Sequence, residues 1–132
     1  MAEILQPAHW PRPKGYSNGL VASGRQVFLS GMIGWDSSGR LVSDDFAAQV
    51  RQALLNIVEL LAQAKGGPEH IARMTWYVVS RQEYLACSKE IGASYREIIG
   101  RHYPAMSVVE VTALMEAGAQ VEIEVTAVIP EA

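Results

Sequence analysis

The chain carries one cysteine, Cys87, in 132 residues, so no internal disulfide can close and the fold must stand without that staple. There is no CxxC pair and no Cys/His cluster with the spacing of a structural zinc site. The three histidines, His9, His70 and His102, lie far apart and outside any HExxH pattern. A metal centre is therefore not expected. Long apolar runs are also missing: nothing approaches the roughly 20 residues that cross a bilayer. The first ten residues, with Glu3, His9 and Trp10, have neither the basic nor the apolar region of a signal peptide. These absences predict a cytoplasmic protein without a membrane partner. Charge of one sign is lacking too. The 11 Lys and Arg are interspersed with 14 Asp and Glu, for a net charge of −3, which makes no field to draw in a polyanion, and nucleic acid is not an expected partner.

What is present is a large apolar fraction, 49% of residues, enough to fill one core in a chain of this length. A single domain over residues 1–132 is expected, with no internal repeat, low-complexity segment or linker. Cys87 reads as a small buried filler rather than a nucleophile.

After a Pro-rich lead-in from Pro7 to Pro13, an apolar segment from about Gly19 to Ser23 precedes a turn at Gly24. The run from Gln26 to Gly34 alternates, with Val27, Leu29 and Ile33 on one side and Phe28, Ser30 and Met32 on the other, and is expected to form a hairpin with the first segment. From Asp44 to Ala64 the period becomes helical, since Phe46, Val50, Leu54, Ile57, Val58 and Leu61 make one stripe. Ser43 is the predicted cap, Asp44 and Asp45 suit the positive end of the dipole, and Gly66-Gly67-Pro68 ends the helix. Ile71 to Ser80 reads as a strand. A second helix follows, with capping-box spacing at Ser80 and Glu83 and one face of Tyr84, Ser88, Ile91, Tyr95 and Ile98, up to Gly100. Two strands, about Met106 to Leu114 and Gln120 to Ile129, flank the Gly118 turn.

This order predicts an α+β fold in which two helices cover one face of a mixed sheet. In the last strand Val121, Ile123, Val125 and Ala127 face the helices, leaving Glu122, Glu124, Thr126 and Val128 on the other side. Phe28, Met32 and Val108 are expected on that same uncovered face. Two helices cannot cover both sides, so oligomerisation is the expected cover, with a half-polar exposed sheet on a monomer as the alternative.

The familiar catalytic patterns are absent. Ser30 lacks a nucleophile-elbow context and a spaced histidine base. Gly31 and Gly34 fall within or beside a strand with no helix to receive a pyrophosphate, which argues against a dinucleotide site. Glu122 and Glu124 point the same way from a strand that should be central, and a carboxylate there needs a partner or a task. An intersubunit salt bridge or hydrogen bond accounts for either one as well as catalysis does.

Several segments together resemble the RidA (YjgF) family along nearly the whole chain. They are Lys14-Gly15-Tyr16-Ser17-Asn18-Gly19, Phe28-Leu29-Ser30-Gly31-Met32-Ile33, Gln49-Val50-Arg51-Gln52-Ala53-Leu54-Leu55-Asn56, Tyr103-Pro104-Ala105-Met106-Ser107 and Val121-Glu122-Ile123-Glu124-Val125-Thr126-Ala127. The resemblance implies a chorismate-mutase-like fold and a homotrimer whose sheets line a central β-barrel, with small-molecule pockets between subunits. It also implies hydrolysis of reactive enamines and imines without a cofactor. Some members have been described as ribonucleases, a reading to which the charge pattern lends little support.

In this pattern Glu122 matches the acidic residue that positions water. Tyr16, Ser30 and Gly31 match pocket positions, as do Tyr77, Ser88, Met106 and Val108 with changed side chains. Tyr77 stands where phenylalanine is common, Ser88 where asparagine is frequent and Val108 where a cysteine is frequent. Met106 replaces the arginine that pairs with the substrate carboxylate in the deaminating branch, and methionine offers apolar volume in place of a charged fork. Arg73, Arg101 or a neighbouring subunit's arginine can restore that contact. The leading expectation is an imine or enamine hydrolase acting on a reactive metabolite other than simple 2-imino acids. The competing one is a noncatalytic ligand-binding or regulatory trimer; a ribonuclease or a holdase-like protein is the third.

Overall fold

A computed structural model describes residues 2–131. Its elements in chain order are β1 (Ala2–Leu5), β2 (Gly19–Ala22), β3 (Arg25–Met32), α1 (Phe46–Gln63), a 3-10 turn at Pro68–His70, β4 (Ile71–Val78), α2 (Arg81–Ala86), α3 (Ser88–Ile98), β5 (Ala105–Glu110) and β6 (Val121–Ile129). The main sheet has four strands in the order β3-β6-β4-β5. Its β3–β6 and β6–β4 pairs are antiparallel and its β4–β5 pair is parallel. A parallel pair needs a long return connection, which α2 and α3 supply. The result is a mixed α+β fold with two main helices, α1 and α3, packed against each other.

Helix α1 forms where the stripe predicted it. Phe46, Val50, Ala53, Leu54, Ile57 and Leu61 are all buried against the sheet, each contributing about 1.5–3 kcal/mol if it is a large aliphatic or aromatic side chain. Its cap is Asp45, whose carboxylate accepts from Ala48 N at 2.9 Å. Ser43, the cap expected from sequence, sits two residues further out and accepts from Asp45 N at 2.9 Å, so it shapes the turn into the helix. At the other end Lys65, at φ 62, takes the left-handed position, and Gly66 N closes onto Leu61 O at 2.9 Å. The glycines follow the reversal instead of making it.

Gln49 is fully buried on the same helix. Its amide nitrogen donates to Ser43 O (2.9 Å) and Gly118 O (3.0 Å), and its oxygen accepts from Gln120 N (2.8 Å). This ties the start of α1 to the loop that feeds β6, satisfying a polar group that would be costly in a dry core.

Three expectations are corrected. The hairpin between the Gly19–Ser23 segment and β3 does not form. Gly24, at φ 147 and with its Cα close against the backbone of Ile129 and Pro130, turns the chain away, and β2 pairs with β1 while β3 pairs with β6. Second, Met32 belongs to the core. The ladder passes from Leu29 opposite Val125 to Met32 opposite Ile123, so one extra residue is accommodated across from Glu124, and this bulge lets Leu29 and Met32 both face inward. Third, Val108 lies opposite Trp76 and packs against the core, because parallel pairing with β4 puts Met106 and Val108 on the helix side and Ala105, Ser107 and Val109 on the other.

The second helix is split. Ser80 Oγ accepts from Glu83 N at 3.0 Å as the capping-box spacing predicts, but Cys87 ends α2 and begins α3. Cys87 is half-buried. Burial, then the charges of Glu83, Glu90 and Asp45, push its thiol up, away from nucleophilic thiolate character.

In β6, Val121, Ile123, Val125 and Ala127 are buried as the alternation required. Glu122, Glu124, Thr126, Thr75, Tyr77, Ser107, Val109 and Phe28 occupy the opposite face, which the chain's own helices leave uncovered and which the β1–β2 ribbon borders only at the Thr126 end. Phe28 is 71% exposed and Val109 43%.

Candidate functional site

The residues singled out from sequence fall into two groups on opposite sides of the sheet. On the uncovered face, Glu122 lies directly across from Tyr77 of β4, and its carboxylate rests on the Cα of Gly31. A side chain at 31 would collide with it: an added Cβ would come within 2.6 Å of Cδ and 2.7 Å of Cγ. The bulge at Ser30 and Gly31 makes that seat, leaving Ser30 exposed beside it. Tyr77 donates its hydroxyl to Glu124 Oε1 at 3.1 Å. That hydrogen bond, with the charges of Glu124 and then Glu122, holds the phenol above its ordinary range. Glu124 is therefore engaged by Tyr77. Glu122 makes no side-chain hydrogen bond or ion pair among the described residues, which leaves its carboxylate free to accept from a ligand or water.

On the helix side, Met106 and Ser88 line one cavity of about 180 Å³ together with Gly15, Trp76, Tyr84, Ile91, Gly92, Tyr95, Arg96 and Tyr103. Its walls are ordered by contacts among the rings. Tyr95 and Tyr103 stack at 5.8 Å and 9°, and Tyr84 meets Trp76 edge-on at 6.1 Å and 80°. Tyr95 also donates its hydroxyl to His102 O at 2.6 Å, and burial pushes its pKa far up, so it stays neutral. Trp76 is buried, and its Nε1 is the one buried side-chain polar atom without a partner among the described residues.

The edge of this cavity is stitched by the segment containing Tyr16. Ser17 N donates to Pro104 O at 3.0 Å, and the Ser17 hydroxyl donates to Tyr103 O, laying Gly15-Tyr16-Ser17 along the outer edge of β5. Gly15, at φ 82, makes the turn that brings it there. Tyr16 itself is 41% exposed and is not a wall of the cavity. Val108 borders a separate depression with Val78, Arg81, Tyr84, Leu85 and Glu110.

Neither arginine considered from sequence reaches Met106: Arg73 borders a shallow surface depression beside Ala105 and Thr126, and Arg101 is exposed. The cation that does line the cavity is Arg96, which sequence reading passed over. Its signal was the four-residue spacing of Ser88, Gly92 and Arg96, a second face of α3 beside the apolar one. No cluster of three or more His, Cys, Asp or Glu able to hold a metal occurs among the described residues, and no helix is long and apolar enough to cross a membrane.

The model of the endoribonuclease L-PSP family matches residues 9–129. The chain belongs to that family, also called RidA or YjgF. The human 2-iminobutanoate/2-iminopropanoate deaminase is 29% identical over 126 residues, covering 95% of this chain and 88% of the relative. Among solved structures, a Rid-family protein of unknown function from Yersinia pestis, YyfB, superimposes with a TM-score of 0.83 at 32% identity, covering 97% of this chain and 98% of that one. RidA from the Antarctic bacterium Psychrobacter sp. PAMC 21119 gives 0.69 at 27% identity, with 96% and 99% covered. The RidA relatives share the layout of sheet and helices on which both groups of residues sit.

Proposed function

We propose that this RidA-family chain is an imine or enamine hydrolase that works as a homotrimer, with its sheets lining a central barrel and each ligand pocket shared between neighbouring subunits. The observation that carries this reading is the free Glu122 carboxylate seated on Gly31, on a sheet face left uncovered by the chain's own helices. The second group, around Met106 and Ser88, opens on the sheet's other side and cannot meet Glu122 within one chain. Apposition of two subunits along the β5 edge would bring one subunit's Met106 cavity to its neighbour's Glu122. The exposed Phe28 and Val109 would be covered in the same step. The deaminase activity named for the human relative supports the reaction class.

The chemistry asks little of the protein. An imine carbon takes up water, the water's proton passes to the Glu122 carboxylate as the C–O bond forms, and the same proton is returned to nitrogen. The carbinolamine then collapses with loss of ammonia, leaving the carbonyl compound. Positioning and proton transfer are the contributions required. Tyr16, Ser30, Gly31, Tyr77 and Ser88 would shape the pocket, with Val108 behind it. Met106 gives an apolar floor where an arginine would hold a small substrate's carboxylate, so the substrate is other than the simplest 2-imino acids.

The test is hydrolysis of 2-iminopropanoate and 2-iminobutanoate, generated in situ by an amino acid oxidase, by native protein, Glu122→Ala and Met106→Arg. Weak native turnover, raised by Met106→Arg and abolished by Glu122→Ala, is expected. Inactivity of native and Met106→Arg proteins on every imine tried, with metabolite binding intact, would overturn the hydrolase in favour of a binding protein. Light scattering that found only monomer would overturn the shared pocket.

A further inference from the structure

The Met106 cavity has the size and lining for one aromatic ring and one negative charge. At about 180 Å³ it is slightly larger than the roughly 150 Å³ that accepts a benzene molecule in a protein core. Trp76, Tyr84, Tyr95 and Tyr103 supply flat walls, and the stacking between Tyr95 and Tyr103 keeps two of them in place.

The charge comes from α3. Ser88, Gly92 and Arg96 follow one another at four-residue intervals and all line the cavity. The Arg96 guanidinium folds back over Gly92, so that a Cβ at 92 would stand 3.2 Å from Nη1. A glycine inside a helix costs about 1 kcal/mol relative to alanine, and here it leaves room for the exposed guanidinium to lie against the helix at the mouth of the cavity. Arg51, by contrast, is committed to Glu97 through two hydrogen bonds of 3.1 and 2.6 Å. The Arg96 side chain makes no ion pair or hydrogen bond among the described residues, so its planar fork is available for a carboxylate.

Building on the hydrolase reading, we propose that Arg96 is the carboxylate-binding and specificity-determining residue of this site. Its substrates are 2-imino acids with an aromatic side chain, the ring held by Trp76, Tyr84, Tyr95 and Tyr103 and the carboxylate by Arg96. The same groups bind the corresponding 2-oxo acid product.

Calorimetric titration of the native oligomer, Arg96→Gln and Arg96→Lys with phenylpyruvate, pyruvate and benzyl methyl ketone tests this, alongside hydrolysis of the imine of phenylpyruvate. Phenylpyruvate should bind at least tenfold more tightly than pyruvate. Arg96→Gln should weaken phenylpyruvate at least tenfold while leaving the ketone, which has the ring without the carboxylate, unchanged; Arg96→Lys should recover part of the loss. Equal phenylpyruvate affinity in native and Arg96→Gln proteins overturns the assignment, as does parallel loss of ketone binding, and pyruvate binding as tight as phenylpyruvate overturns the aromatic specificity. Arg96-dependent binding of phenylpyruvate without any imine turnover would remove the hydrolase reading alone. Turnover with an unchanged KM in Arg96→Gln would remove the Arg96 assignment alone.

Discussion

Replacing Gly31 by alanine should separate the position of the Glu122 carboxylate from the stability of the fold. Gly31 does not have a positive φ, so alanine meets no backbone penalty there. The new Cβ would instead overlap the end of the Glu122 side chain, including Cδ at 2.6 Å. A flexible carboxylate can rotate away at about 0.5–1.5 kcal/mol. Its displacement by an ångström or more should lower the rate about 100-fold if it positions the attacking water. Gly34→Ala is the matched control, since a Cβ at 34 would meet the α1 backbone at Gln49, 2.6 Å from Cα and 2.7 Å from the carbonyl oxygen, and backbone cannot rotate aside. Overpacking of that kind costs about 1–3 kcal/mol. Urea denaturation, reading the midpoint at constant slope, and single-substrate kinetics on the imine turned over fastest by native protein measure the two effects. Gly31→Ala at native rate would refute the placement of Glu122 at the reacting centre, and a midpoint loss matching that of Gly34→Ala would refute the claim that only a side chain yields.

Phe28→Glu puts a charge at the most exposed aromatic position of the uncovered face, and light scattering should show the proposed trimer falling to monomer with the circular dichroism of the fold retained. Gln49→Leu removes three hydrogen bonds of a fully buried side chain and should cost about 1.5–4.5 kcal/mol at 0.5–1.5 each; a change under about 0.5 kcal/mol would show that water replaces them. Asp36 accepts from the Ser38 hydroxyl, Arg40 N and Ser38 N, which hold its carboxyl below the ordinary value of 3.8, and Arg51 does the same for Glu97 below 4.5. Both groups bind protons less readily folded than unfolded. Their contribution to stability is present above those ordinary values and is lost as pH falls through the lowered folded ones, and carboxyl NMR titrations with unshifted midpoints would contradict it.

The periodicity of α1 and the alternation of β6 were legible because each burial decision there is made locally. Phe46 to Leu61 repeat at helical spacing, Val121 to Ala127 at strand spacing, and the side chain's direction follows from the backbone period. The Ser80 cap and the carboxylates of Glu122 and Glu124 on one face followed from the same rule, and the family was readable from its segments. Partners in a ladder are a different matter, because backbone hydrogen bonds carry no side-chain label. Whether β2 would pair with β1 or β3 was decided by the turn at Gly24 and by the closeness of Ile129. The bulge that moves Met32 into the core is invisible to strict alternation, since one extra residue reverses every later side chain. The division of the candidate site followed from another such pairing, the parallel register of β4 and β5 that turns Met106 toward α3 while Glu122 faces away. Arg96 emerged only with it, because a guanidinium at the edge of a helix gains a purpose from the cavity packed beside it, and that cavity is built from residues as distant in sequence as Gly15 and Met106.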